Sequence, residues 1–219
     1  GIDEPNVMAQ KAVEKVKLGF DTLKIKVGTG IEADIARVKA IREAVGFDIK
    51  LRLDANQAWT PKDAVKAIQE LADYQIELVE QPVKRRDLEG LKYVTSQVNT
   101  TIMADESCFD AQDALELVKK GTVDVINIKL MKCGGIHEAL KINQICETAG
   151  IECMIGCMAE ETTIGITAAA HLAAAQKNIT RADLDATFGL ETAPVTGGVS
   201  LEAKPLLELG EAAGLGISH

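Results

Sequence analysis

The sequence predicts an α/β fold of the (β/α) barrel type, and two observations support this prediction. Short apolar, β-branched runs alternate with amphipathic helical stretches throughout the 219 residues. A polar residue also closes each predicted strand at a regular interval: 28 residues lead from Lys26 to Asp54, 26 to Glu80, 25 to Asp105 and 24 to Lys129. A strand–helix unit repeated at this length is typical of a barrel. An open doubly wound sheet is the alternative, although no GxGxxG motif follows the first strand.

Seven strands are predicted, at residues 22–27, 49–54, 76–80, 101–105, 125–129, 152–156 and 179–185. The interval from Lys129 to Asp183 is 54 residues, which corresponds to two further units. Because a closed barrel of this type has eight strands, we expect most of the first strand to be missing, with only its end kept at Gly1-Ile2. The prediction is therefore a (β/α)7β barrel without most of its first strand.

Capping residues predict where several helices begin and end. A helix begins well with Ser, Thr, Asp or Asn followed by Pro or an acid, and often ends at Gly. The start signals are Asp3-Glu4-Pro5, Thr60-Pro61 and Asp110 with Asp113, and the stop signals are Gly19, Gly46, Gly121 and Gly150.

Composition argues against binding to nucleic acids. The 24 basic and 33 acidic residues leave a formal charge of −9, which repels a phosphate backbone. Aromatic residues make up only 3%, so stacking platforms for single-stranded bases are not expected.

A membrane and a disulfide scaffold are not expected either. The stretch closest to a membrane span, 164–175, is shorter than the roughly 18–20 residues required and carries Thr167 and His171, and no secretory signal is visible. The five cysteines lack paired spacing, which favours a reducing cytoplasm.

Residues two apart in a strand share a face, so the strands predict one polar and one apolar face. The apolar face carries Ile25, Leu51, Leu53, Ile126, Ile128 and Leu184, and helices should cover it. The opposite face, directed into the barrel, carries Lys24, Lys26, Arg52, Asp54, Glu80, Asp105, Lys129, Asp183 and Asp185. Burying so many ions costs several kcal/mol each unless they are paired or bind a metal, so a functional site is expected, with a structural salt-bridge network as the alternative.

Asp54, Glu80 and Asp105 close three successive strands. Three neighbouring carboxylates stay ionised together only around a cation. All-oxygen ligands suit Mg²⁺, with Mn²⁺ as a substitute, whereas zinc would favour histidine ligands, and no histidine lies at a strand end.

Lys26 and Lys129 flank these three acids along the chain, so a closed barrel would place them on opposite sides of the metal. Lys24, two residues before Lys26 on the same face, is positioned to favour the neutral, basic form of Lys26. Two opposed bases suggest that one lysine removes a proton next to a carboxylate, that the metal stabilises the resulting enediolate, and that the other lysine returns a proton. Racemisation, epimerisation, dehydration and cycloisomerisation can all use a metal ion with such acid/base groups.

Five short motifs resemble the enolase superfamily, and most closely its muconate-lactonizing subgroup. They are Lys24-Ile25-Lys26, Asp54-Ala55-Asn56, Glu80-Gln81-Pro82, Ala104-Asp105-Glu106-Ser107, and Asn127-Ile128-Lys129 with Cys133-Gly134-Gly135. The resemblance implies a metal-dependent isomerase with an α+β capping domain before the barrel, and that domain is expected to be missing here. The barrel would then span 1–190, and 191–219 would form a C-terminal segment that returns toward the cap.

The sequence Arg181-Ala182-Asp183-Leu184-Asp185 resembles the DxD motif of the dipeptide epimerases in this subgroup. The resemblance implies that Asp183 and Asp185 hold the substrate's α-ammonium group, that Lys26 and Lys129 are the acid/base pair, and that the substrate is a dipeptide, often L-Ala-L-Glu. Cys157 stands where relatives often carry Ser; its backbone is expected to line the pocket, and its thiol is not expected to be a nucleophile because no histidine partner is evident.

Several alternatives remain open. Other members of the subgroup, such as o-succinylbenzoate synthase, muconate cycloisomerase or N-acylamino acid racemase, use substrates without a free α-ammonium group. A Schiff-base aldolase barrel and a non-catalytic barrel fragment belong to different classes. Barrels of this type often assemble, so a homo-oligomer is also open.

Overall fold

The computed structural model describes residues 1–186, 195–201 and 205–218. Its contacts define two compact units, Gly1–Ser107 with Lys120–Asp124, and residues 108–119 with the described residues from 125 onward. The predicted boundary between 190 and 191 lies outside the described residues, so the proposed division into a barrel domain 1–190 and a C-terminal segment 191–219 stays a prediction.

The first unit alternates helices with four parallel strands. Its elements are α1 (Pro5–Lys17), β1 (Thr22–Lys26), α2 (Ile31–Val45), β2 (Lys50–Asp54), α3 (Pro61–Glu70), a 3-10 turn (Ala72–Tyr74), β3 (Ile76–Glu80), α4 (Leu88–Gln97) and β4 (Thr101–Ala104). Neighbouring strands pair in chain order, β1 with β2, β2 with β3 and β3 with β4. The carboxyl ends of these four strands therefore meet at one edge.

The second unit continues the alternation. Its elements are α5 (Ala111–Lys120, the last residue of which groups with the first unit), β5 (Val125–Lys129), α6 (Leu130–Cys133), α7 (Ile136–Ala149), β6 (Glu152–Gly156), α8 (Thr163–Ala175) and β7 (Ile179–Asp183). Strands β5, β6 and β7 are parallel and pair in chain order. Four two-residue strands follow, β8 (Thr196–Gly197), β9 (Ser200–Leu201), β10 (Leu207–Glu208) and β11 (Ile217–Ser218), and they form two antiparallel pairs.

The predicted caps are confirmed at two helices. Thr60 Oγ1 accepts a hydrogen bond from the Asp63 backbone N–H at 3.2 Å at the start of α3. At α5, Asp110 Oδ1 accepts from the Asp113 N–H at 2.9 Å, and Asp113 Oδ2 accepts from the Phe109 N–H at 2.8 Å. Asp110 satisfies a backbone donor that the first helical turn leaves unpaired, and Asp113 satisfies the N–H of Phe109, which precedes the helix. No helix among the described residues combines the length and the apolarity needed to cross a membrane.

The predicted strands are confirmed, with shifts of one or two residues at four ends. Residue 27 lies just beyond β1, and β2 begins at Lys50 instead of 49. Asp105 lies one residue beyond β4, because pairing with β3 stops at Met103. Asp185 lies two residues beyond β7, because the pairing with β6 ends at Gly156 opposite Asp183. Strand ends depend on where the partner strand stops, which a single segment of sequence does not show.

The apolar face predicted for the strands is buried. The six predicted side chains are exposed by 0–6%: Ile25, Leu51, Leu53, Ile126, Ile128 and Leu184. Several side chains of the polar face are buried as well, among them Asp54, Glu80 and Lys129. Arg52 is explained structurally, because its Nε lies 2.6 Å from Glu77 Oε2 and forms an ordinary ion pair.

Candidate active site at the strand ends

Three carboxylates lie at or just beyond the carboxyl ends of neighbouring strands in the first unit. Asp54 is the last residue of β2 and pairs in register with Glu80, the last residue of β3. Asp105 directly follows β4. Their exposed fractions are 0% for Asp54 and Glu80 and 2% for Asp105. Buried carboxylates this close raise the cost of ionising one another, so the site requires positive charge.

Two lysines of β1 supply that charge in this structure. Lys26 pairs in register with Asp54, and its Nζ lies 2.6 Å from Asp54 Oδ2. Lys24 Nζ lies 3.1 Å from the same oxygen and 2.8 Å from Glu80 Oε2. These contacts confirm that Lys24 and Lys26 lie on the same face as the acids.

Glu80 shows how unfavourable the negative charge is at this position. Burial raises the pKa of Glu80 from its ordinary 4.5 to about 7, and the carboxylates of Asp54 and Asp105 add to the rise. The ammonium group of Lys24 acts in the opposite direction and lowers the pKa of Glu80. One lysine therefore does not fully compensate for three buried acids.

A metal-type arrangement is not formed in this structure. Within residues 1–186, 195–201 and 205–218, no group of three or more His, Cys, Asp and Glu side chains is placed to hold a metal ion. Oxygens of Asp54 and Glu80 face lysine ammonium groups instead. The donor set still fits Mg²⁺ in its chemistry, because it offers only oxygen ligands and a surplus of buried negative charge. The convergence of Asp54, Glu80 and Asp105 on one cation therefore stays a prediction.

Gln81 braces this edge, and sequence reasoning assigned it no role. Its side chain is fully buried, and Oε1 accepts hydrogen bonds from the backbone N–H groups of Asp105 and Ser107, both at 3.0 Å. Its Nε2 donates to the Val83 carbonyl at 3.0 Å and to Ser107 Oγ at 2.8 Å. Gln81 also adopts a positive φ of 38°, which is uncommon for a residue with a side chain. A fully bonded amide beside a strand-end acid thus holds the Asp105 backbone in place.

In the second unit, Lys129 closes β5 and is only 8% exposed. The carboxylate of Glu161, itself 3% exposed, accepts a hydrogen bond from the Met158 N–H at 3.1 Å. Burial raises the pKa of Glu161, while the positive charge of Lys129 acts to lower it. Glu161 is a second residue that sequence reasoning missed, and it supplies a counter-charge for Lys129.

The structure brings Cys157 and Asp185 together. Asp183 is the last residue of β7, whereas Asp185 is exposed, and its Oδ1 accepts a hydrogen bond from Cys157 Sγ at 3.8 Å. Burial is the main factor that raises the pKa of Cys157 to about 12, and the two aspartates contribute. A thiol that stays protonated at neutral pH is a poor nucleophile, and the expectation for Cys157 stays a prediction.

Comparison with known proteins decides the family. Residues 7–219 match the family described as enolase C-terminal domain-like. The chain belongs to this family. The resemblance inferred from the five strand-end motifs is therefore confirmed, and so is the predicted α/β fold class.

Two of the chain's relatives carry the name of an epimerase. A Bacillus subtilis protein named L-Ala-D/L-Glu epimerase is 52% identical over 99% of this chain and 59% of its own length. A Clostridium acetobutylicum protein of the same name is 48% identical over 99% of this chain and 60% of its own length. The chain therefore spans about 60% of the length of these relatives.

Solved structures of the family show the same fold. A substrate-liganded complex of the B. subtilis L-Ala-D/L-Glu epimerase superposes with a TM-score of 0.96 at 51% identity, covering 99% of this chain and 61% of that one. A dipeptide epimerase from Cytophaga hutchinsonii, complexed with Mg and D-Ala-L-Val, also gives a TM-score of 0.96, at 39% identity over 100% of this chain and 59% of that one.

Proposed function

We propose that this chain carries the catalytic residues of a Mg²⁺-dependent dipeptide epimerase, which inverts the carbon next to the substrate's terminal carboxylate. The observation that carries the proposal is the buried edge formed by Asp54, Glu80 and Asp105, with Lys24 and Lys26 against two of these acids. The similarity to proteins named L-Ala-D/L-Glu epimerase supports the dipeptide as the substrate class.

Asp54, Glu80 and Asp105 are the residues that would hold Mg²⁺, with Mn²⁺ as a predicted substitute. A bound divalent cation supplies positive charge that offsets the charge developing on the substrate carboxylate as the α-proton leaves. A bound cation would also offset the burial and the carboxylate repulsion that raise the pKa of Glu80.

Lys26 and Lys129 are the proposed acid/base pair. One lysine takes the α-proton and leaves an enediolate, and the other delivers a proton to the opposite face, so that the configuration inverts. Each lysine has a carboxylate partner within its own unit: Lys26 has Asp54, and Lys129 has Glu161.

Asp183 and Asp185 are the proposed partners of the substrate's α-ammonium group. Two carboxylates two residues apart at the end of β7 match the charge of a protonated amine. The backbone at Cys157 is the proposed lining near the peptide group, and the contact between Cys157 Sγ and Asp185 supports this placement. A cytoplasmic location and a homo-oligomer stay predictions.

The proposal is tested by incubating the full-length protein with Mg²⁺ and a library of dipeptides in deuterated water. Mass spectrometry should show uptake of one deuterium at the α-carbon of the C-terminal residue of the preferred dipeptides. Lys26→Ala and Lys129→Ala should each block exchange from one epimer and largely spare the other, because each base faces one side of the carbon. If both variants exchange both epimers at the wild-type rate, neither lysine is a base.

The ammonium assignment separates the dipeptide reaction from other reactions of the subgroup. In the double variant Asp183→Asn with Asp185→Asn, dipeptide epimerisation should be lost, because a protonated amine then lacks its counter-charge. An N-acylated amino acid, which carries no α-ammonium group, serves as the comparison substrate. Normal turnover of dipeptides by the double variant would show that these aspartates do not bind the ammonium group.

A further inference from the structure

Lys26 has a hydrogen-bond partner besides Asp54. Its Nζ donates to Asn56 Oδ1 at 2.8 Å, as well as to Asp54 Oδ2 at 2.6 Å. Asn56 is not one of the three proposed metal ligands. Its amide oxygen therefore remains available to the Lys26 amine when the oxygens of Asp54 are used by a cation.

The orientation of the Asn56 amide is set by Glu106. Asn56 Nδ2 donates to Glu106 Oε1 at 3.2 Å. A carboxylate only accepts hydrogen bonds, so the amide must present its NH₂ group to Glu106 and its oxygen to Lys26. If the amide were flipped, two donors would face each other at Lys26. Glu106 thereby acts on Lys26 through Asn56.

The backbone at Asn56 supports the same arrangement. Its N–H donates to Asp54 Oδ1 at 3.0 Å, and its φ is 42°, in the left-handed region that Asn tolerates better than most residues. The turn after β2 therefore aims the side chain back along the strand edge toward Lys26, which pairs in register with Asp54.

Glu106 carries an acceptor that the described residues leave unused. Its Oε2 is buried and has no hydrogen-bond partner among residues 1–186, 195–201 and 205–218. An unsatisfied buried carboxylate oxygen costs about 1–3 kcal/mol or more and is uncommon in folded proteins. The hydrogen bond that the other oxygen, Oε1, accepts from Asn56 Nδ2 gives a reason for an acid at this position.

We propose that Asn56 and Glu106 are positioning residues that hold the Lys26 amine in line with the substrate's α-carbon. This inference rests on the proposed function, in which Lys26 is one of two bases. It predicts that loss of either residue slows α-proton exchange mainly from the epimer whose proton Lys26 removes.

The test measures α-proton exchange from each epimer separately in deuterated water, with the full-length protein, Mg²⁺ and the preferred dipeptide. Asn56→Gly removes the side chain without straining the positive φ, and Glu106→Leu removes both carboxylate oxygens and with them the acceptor that orients the amide. Each variant should slow exchange from the epimer that depends on Lys26 about tenfold, because misplacement of a base is costly, and should change the other epimer less than about twofold. Asn56→Asp keeps an acceptor for Lys26 and should recover part of the loss.

The controls separate positioning from damage to the fold. Glu89→Gln, at a side chain that is 79% exposed, should leave both exchange rates unchanged. The Mg²⁺ dissociation constants of Asn56→Gly and Glu106→Leu, measured by calorimetry, should stay close to that of the wild type. Equal loss from both epimers, or no loss from either, overturns the positioning role. A wild-type protein that exchanges neither α-proton overturns the proposed function itself, and the inference with it.

Discussion

At the scale of single residues, a buried acid at a strand end lowers the stability of the fold. Glu80 is fully buried, and burial raises its pKa to about 7, so in the absence of a cation its ionised form opposes folding. Lys24 Nζ, 2.8 Å from Glu80 Oε2, offsets part of this cost. A site that is unfavourable without a ligand and favourable with one is what a cation-binding edge requires.

Glu80→Gln should therefore stabilise the metal-free chain at pH 8. The folded state binds the Glu80 proton more tightly than the unfolded state, so the stability of the wild type falls as pH rises from 4.5 to about 7. Over that window the penalty reaches about 3 kcal/mol, and the variant lacks it. Urea unfolding at several pH values measures the difference, which should shrink toward zero below pH 4.5.

The control for this prediction is Glu70→Gln, at an exposed position on α3. Its free energy of unfolding, measured at the same pH values, gives the reference for replacing a glutamate that is not buried. Parallel pH profiles for Glu80→Gln and the wild type would contradict the prediction.

At the scale of elements, neighbouring strands are matched by side-chain volume as well as by register. Gly156, the last residue of β6, lies against the fully buried Asn127 of β5. A Cβ atom added at Gly156 would lie 2.6 Å from Asn127 Oδ1 and 2.9 Å from its Nδ2. The small residue at this position gives Asn127 its space, next to Lys129 on the same strand.

Gly156→Ala should lower the free energy of unfolding by about 1–3 kcal/mol, because the added methyl group overpacks a buried strand pair. Gly210→Ala is the matched control, since a Cβ there meets no atom within 4 Å and its φ lies outside the left-handed region. Thermal unfolding should place the control within about 0.5 kcal/mol of the wild type. Equal stability of both variants would show that Asn127 can move aside.

Secondary-structure elements were more predictable from the sequence than side-chain contacts were. The alternation of apolar and polar residues predicts all seven parallel strands, and Thr60 and Asp110 mark helix starts, because these signals depend on residues close in the chain. Gln81 and Glu161 were missed because their partners lie on other turns or strands, and no local pattern distinguishes a bracing amide from an exposed one.

At the scale of the whole molecule, the formal charge of −9 favours cationic partners, and three of the acids are concentrated at one buried edge. A ligand that binds only the folded state stabilises that state by mass action. Binding of Mg²⁺ should therefore appear as increased global stability and not only as catalysis.

Mg²⁺ at about 100 times its dissociation constant should raise the free energy of unfolding by about 2.7 kcal/mol. Asp105→Asn should abolish the increase, because it replaces one of the three proposed anionic ligands with a neutral amide, whereas Asp48→Asn, at an exposed position, should retain it. Chemical unfolding with and without Mg²⁺ measures both. An increase that survives in Asp105→Asn would place the cation elsewhere.

The sequence by itself determined the order of the elements, the polar residues at or just beyond each strand end and the resemblance to the family, because these follow from local periodicity and short motifs. Only the tertiary structure decided which atoms meet: Lys24 between two carboxylates, Gln81 on the Asp105 backbone, and Asn56 between Lys26 and Glu106. Lys24 lies 30 and 56 residues from its two acids, and Gln81 lies 24 residues from Asp105. Asn56 lies 30 residues from Lys26 and 50 from Glu106. Strand register and side-chain rotamers bring them together, and neither can be predicted from the residues of one segment.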